Sequence, residues 1–131
     1  MASRAHAVTA DPRHTILLEV NGHKLVGDEP TALGGQDAGP PPFGFVLAGL
    51  AACTATTLRM YADRKGWGDV TIETELTLDT HGDKPKIDRK VSATGDLDEA
   101  AIARLRDVVE RTPVTLALKG GFTIDTVLEK G

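Results

Sequence analysis

Cysteine is nearly absent from this 131-residue chain, in which Cys53 stands alone. A single thiol excludes a disulfide framework within the chain and any multi-cysteine metal site, and it calls for no oxidising compartment. Aromatic residues are scarce at 4%, too few to build the stacking platforms that hold single-stranded nucleic acid. Positive charge is in deficit as well: 15 Lys and Arg face 19 Asp and Glu, for a net charge of −4 and a pI near 5.5. Phosphate backbones demand clustered cations, so no nucleic-acid partner is expected. The first residues, Met1 to Val8, lack the apolar centre of a signal peptide. Phosphate loops, nucleophile elbows and zinc motifs are missing too. His6, His14, His23 and His81 stand at no metal-ligand spacing, beside turns or a terminus, and read as solvated. No metal and no cofactor is expected.

What remains is an ordinary globular composition, 40% hydrophobic and 26% charged. The length suits one domain spanning residues 1–131, with residues 1–13 as an N-terminal arm or fraying strand. Thr15 to Val20 and His23 to Val26 read as strands joined at Asn21-Gly22, a strong hairpin signal. The stretch from Leu33 to Pro42 is a loop by composition. No charge occurs from Ala38 to Leu58, but the apolar part is about 16 residues, short of the ~20 that cross a bilayer. No membrane association is expected, and the chain reads as cytoplasmic. Pro42 to Lys65 instead reads as a helix buried on most sides, with proline tolerated at its start and Gly66 ending it.

The second half alternates. Val70, Ile72, Thr74, Leu76 and Leu78 share one face of a strand, and Lys86 to Thr94 pairs with it less regularly. Asp96 or Asp98 caps a further helix through Arg111, Val114 to Lys119 forms a short one, and Phe122 to Leu128 closes as a strand. The order is that of an α+β fold in which an antiparallel sheet wraps a long buried central helix. So short a chain has little material to cover a helix apolar on nearly every face. A homodimer with these helices at its centre follows.

Cys53 lies mid-helix among small neighbours and reads from the residues as either a small buried hydrophobe or a thiol in a narrow crevice. Its position denies it the N-terminal end of its own helix, so activation would require a nearby cation. Asp28-Glu29 and Glu73/Glu75 read as exposed charges.

Asp28-Glu-Pro30, Gly34-Gly35, Gly39-Pro40, Leu50-Ala-Ala-Cys-Thr54, the block from Thr57 to Trp67, Gly95-Asp-Leu-Asp98 and Pro113-Val114 together resemble the OsmC/Ohr superfamily, nearest its small bacterial OsmC-like proteins. The resemblance spans roughly residues 14 to 128. It implies an intertwined homodimer of OsmC-like fold and, for members with full motifs, reduction of organic hydroperoxides by a pair of cysteines recycled by a dithiol. Cys53 matches the peroxide-attacking cysteine. The resolving cysteine is replaced by Thr112, and a hydroxyl cannot condense with a sulfenic acid, so the two-cysteine cycle is closed to this chain. The family's glutamate is replaced by Phe43 or Gly44, which makes the pocket more apolar. The activating arginine is expected from the N-terminal part, with Arg13 the choice and Arg4 a second candidate. Three readings stay open. Cys53 is a one-cysteine peroxidase restored by an external thiol, the same apolar dimer-interface pocket runs a different reaction, or a non-catalytic dimer binds an apolar small molecule.

Overall fold

The computed structural model describes residues 2–131 and is a mixed α+β chain with antiparallel sheets. It forms two compact units, Met1–Ala48 and Gly49–Gly131. In the first, β1 (Ala5–Thr9), β2 (Ile16–Val20) and β3 (His23–Gly27) form an antiparallel sheet in that order. Residues 1–13 therefore contribute a paired strand, since Ala7 stands opposite Leu18 in the β1–β2 ladder. The β2–β3 hairpin turns at Asn21 (φ 48°) and Gly22 (φ 85°), both in the left-handed region that Asn and Gly tolerate and that matches strand twist.

The loop after β3 is organised by a residue that sequence reasoning assigns to the surface. Asp28 is 3% exposed, and its carboxylate accepts from the backbone N–H groups of Glu29 (2.7 Å), Gln36 (3.1 Å) and Ala38 (3.1 Å). The Ala38 N–H leads in holding the Asp28 carboxyl below its ordinary value; burial opposes it, and the Glu29 and Gln36 N–H groups and His14 add to the lowering. Gly35 is required by the same fold, because a Cβ there would stand 1.9 Å from the Glu29 carbonyl oxygen.

Helix α1 (Pro42–Lys65) has the limits read from Pro42 and Gly66. By length and composition it could also cross a membrane. Its buried residues, Leu50, Thr54, Leu58 and Ala62, recur every four positions and form one stripe. Burial on most sides is not achieved within one chain: Phe43 (58%) and Met60 (54%) stay exposed.

In the second unit, β4 (Thr71–Asp79) pairs antiparallel with β5 (Lys86–Thr94), Thr74 opposite Val91 and Leu76 opposite Arg89. The inward positions of β4 are those its alternation marks, Ile72, Thr74, Leu76 and Leu78. On β5 they are Ile87, Arg89, Val91 and Ala93, so an arginine occupies a place in the apolar row. Asp98 caps α2 (Glu99–Val109), accepting from the Ala101 N–H at 2.8 Å. Thr112 precedes α3 (Pro113–Gly120), with proline at its first turn. Phe122 to Leu128 forms no strand. It has the right alternation but no ladder partner among the described residues, and Ile124 (83%) and Leu128 (95%) face solvent.

Candidate functional site

Cys53 is half-buried on α1. Its Sγ accepts a hydrogen bond from the backbone N–H of Val114 at 3.5 Å and lies 3.7 Å from Thr57 Oγ1. Val114 is in the first turn of α3, where backbone N–H groups have no partner inside the helix and carry the positive end of its dipole. Sequence reasoning weighs only the helix on which Cys53 sits. The structure brings up the N-terminus of another, so the thiol does receive a helix end. Helix N-termini are, as a class, places where anions are held.

Pro113 shapes this end. Its missing N–H would have been an orphan there in any case, and its fixed φ suits a helix start. Thr112, where the resemblance leads one to expect a resolving cysteine, is fully buried (0%). Its hydroxyl caps no backbone N–H and instead shares a 2.6 Å hydrogen bond with Thr115 Oγ1.

The arginine in the inward row of β5 completes the cluster. Arg89 Nη1 donates to Thr54 Oγ1 (2.9 Å) and to Thr115 Oγ1 (2.8 Å), and Nη2 donates to the Val109 carbonyl (3.1 Å). Thr54 is fully buried and in turn donates to the Leu50 carbonyl at 2.7 Å. Val109 O is one of the free carbonyls at the end of α2, where the helix dipole favours a cation. Arg89 makes no ion pair among the described residues, and all its acceptors are neutral. It borders a cleft of about 420 Å³ with Leu50, Ile87, Leu118, Glu110 and Lys119. Lys119 Nζ contacts Glu110 Oε2 at 3.0 Å; that hydrogen bond and charge hold the Glu110 carboxyl below its ordinary value, with a smaller pull from Arg89.

The structure thus brings Cys53 together with the segment following Thr112, and it adds Arg89, which sequence reasoning passes over. One signal was there to find it: a charge at an inward position of an otherwise apolar strand face. Arg13 lies exposed in the β1–β2 connection of the first unit, and its side chain makes no hydrogen bond or ion pair among the described residues. Gly44 sits in the first turns of α1, where a Cβ would stand 3.2 Å from Pro40 Cβ. Phe43 beside it is exposed. No group of three His, Cys, Asp or Glu able to hold a metal ion occurs among the described residues.

A family model described as OsmC-like protein matches residues 34–127. Among solved structures, an OsmC-like protein from Mycoplasma pneumoniae superposes with a TM-score of 0.72 at 19% identity, covering 92% of this chain and 89% of that one. An organic hydroperoxide resistance protein from Legionella pneumophila gives 0.63 at 25% identity, covering 92% and 90%. The organic hydroperoxide resistance protein OhrB of Bacillus subtilis gives 0.62 at 22%, covering 92% of each chain. A search of curated protein sequences finds no match.

Proposed function

The chain belongs to the OsmC-like protein family, and we propose that it is a one-cysteine thiol peroxidase acting on organic hydroperoxides, with Cys53 as the nucleophile. The observation that carries the reading is the N–H of Val114, aimed from a helix N-terminus at Cys53 Sγ. An N–H there suits a thiolate before the reaction and a sulfenate after it. The similarity to hydroperoxide resistance proteins from Legionella and Bacillus supports the same substrate class.

In the first step the Cys53 thiolate attacks the terminal oxygen of the hydroperoxide. An S–O bond forms and the O–O bond breaks. Sulfur loses two electrons, and the alkoxide leaves and takes a proton from solvent as an alcohol. Thr112 cannot resolve the sulfenic acid. An external thiol therefore condenses with it, releasing water and forming a mixed disulfide, and a second thiol restores Cys53 while leaving as a disulfide. The reading places the chain in the cytoplasm, where small thiols are abundant, and it needs no cofactor. A homodimer accompanies it, because the apolar side chains of Phe43, Val46 and Met60 on α1 and of Phe122 to Leu128 are left uncovered by one chain. Arg13, Phe43 and Gly44, which the resemblance also marks, carry no step of this reading.

A second reading, a dimer that binds an apolar small molecule without chemistry, has its own support. The first unit holds a cavity of about 380 Å³ among Ile16, Leu18, Leu25, Pro40 and Phe45. A stoichiometric pulse of tert-butyl hydroperoxide with dimedone present separates the two. Peroxidase chemistry yields a dimedone adduct at Cys53 that is absent from Cys53→Ser, whereas an unmodified thiol under excess peroxide decides for binding alone.

A further inference from the structure

We propose that Arg89 is the positioning residue of this site, holding α3 against α1 so that the Val114 N–H stays on Cys53 Sγ. The inference deepens the peroxidase reading and rests on it for the importance of Cys53, though the geometry stands by itself. Arg89 Nη1 grips two hydroxyls at once. Thr54 is the immediate neighbour of Cys53 on α1, and Thr115 is the immediate neighbour of Val114 on α3. One guanidinium nitrogen therefore ties the residue beside the nucleophile to the residue beside its N–H donor. Nη2 on the Val109 carbonyl fixes the guanidinium plane from a third element, the end of α2.

A planar fork of fixed donors suits this task, and an ammonium on a flexible stem cannot copy it. Its place in the strand supports the assignment. A half-buried arginine on the inward row of β5 gives up part of the hydration that an exposed position would keep, and these three bonds replace some of it. The S···N separation of 3.5 Å leaves little slack. A shift of α3 by roughly half an ångström to one ångström would take it out of hydrogen-bonding range. Thr112, bonded to Thr115 Oγ1, is held by the same clamp.

The test compares Arg89→Met, Arg89→Lys, Thr115→Val and Thr115→Ser with the parent chain. Three readouts are taken: Cys53 alkylation by iodoacetamide, Cys53 oxidation by tert-butyl hydroperoxide, and the shift of the Val114 amide resonance when Cys53 is alkylated. Arg89→Met should slow alkylation and oxidation about tenfold, the size of one hydrogen bond to a charged group. In that variant the Val114 amide should cease to respond to alkylation. Arg89→Lys should recover little, because it cannot hold both threonines. Thr115→Val should slow both reactions about threefold, and Thr115→Ser, which keeps the hydroxyl, should restore them. A merely structural arginine would lower the melting temperature while leaving the Val114 response and the rates of the folded protein intact, and that result overturns the proposal. Should Arg89→Met fail to fold, Thr115→Val decides, and parent-like rates with a parent-like amide response refute it. If hydroperoxide leaves Cys53 of the parent chain untouched, the peroxidase reading falls, while iodoacetamide and the amide resonance still decide the role of Arg89.

Discussion

Thr112→Cys asks whether position 112, which the resemblance matches to a resolving cysteine, faces Cys53. Val114 donates to Cys53 Sγ at 3.5 Å, and position 112 lies two residues upstream, at most ~7 Å of extended chain. A bridge requires the Cα atoms of positions 53 and 112 to come within the ~4.4–6.8 Å that a disulfide spans, and this is what the variant decides. The bridge would close a loop of about 60 residues, for which the chain-entropy relation gives ~4 kcal/mol of stabilisation. Against it stands the loss of the hydroxyl pair between Thr112 and Thr115 in a fully buried place, about 1 kcal/mol because Thr115 keeps Arg89 as a donor. The reduced variant should thus be slightly less stable than the parent chain and the oxidised one more stable by roughly 3 kcal/mol, a gap of about 10 °C or more between their melting temperatures. Thiol counting after mild copper-phenanthroline oxidation tests geometry alone, and counting after one equivalent of tert-butyl hydroperoxide tests it through the sulfenic acid. Two free thiols in a folded variant under both oxidants would refute the juxtaposition of positions 53 and 112.

Asp28→Asn should loosen the loop from Asp28 to Ala38, since one carboxylate oxygen that accepts N–H groups becomes an amide that donates. Because the folded-state carboxyl is held below its ordinary value of 3.8, its contribution is present above that value and is lost as pH falls through the lower folded-state value. The melting-temperature gap between parent and variant should therefore be wide at pH 7 and close on acidification; a gap independent of pH contradicts the assignment. Leu58→Ala removes a side chain only 1% exposed beside a cavity it shares with Val91, Leu105 and Val109. It should cost about 3 kcal/mol in denaturant unfolding, and less than 1 kcal/mol would show that the stripe on α1 is not packed as described. Sedimentation at micromolar concentration should find a dimer burying more than the ~1,600 Å² of a standard interface, and a folded monomer excludes it.

The parts legible in the sequence share one property: their cause is local. Asn21-Gly22 supplies two left-handed residues to one hairpin, Pro42 and Gly66 bracket α1, and Asp98 caps the N–H three residues ahead of it. The alternation of β4 names its own inward face. What escaped was set by partners far along the chain. Asp28 finds its backbone donors eight and ten residues away in a loop without period, so its burial has no pattern to betray it. Arg89 reaches partners 35, 26 and 20 residues distant, and the Val114 N–H meets Cys53 across 61. Phe122 to Leu128 shows the converse case, since alternation describes a face that is ready for burial but does not provide the neighbouring strand. Cys53 combines both kinds. Its identity and its small neighbours were plain, but a backbone N–H has no residue type, and any amino acid except proline at position 114 could present one. The chemistry of this thiol therefore depends on a donor that a sequence does not spell and on an arginine that it spells only as an interruption in an apolar row. That is why the substitution with the most to say about Cys53 lies on a different element, at Arg89.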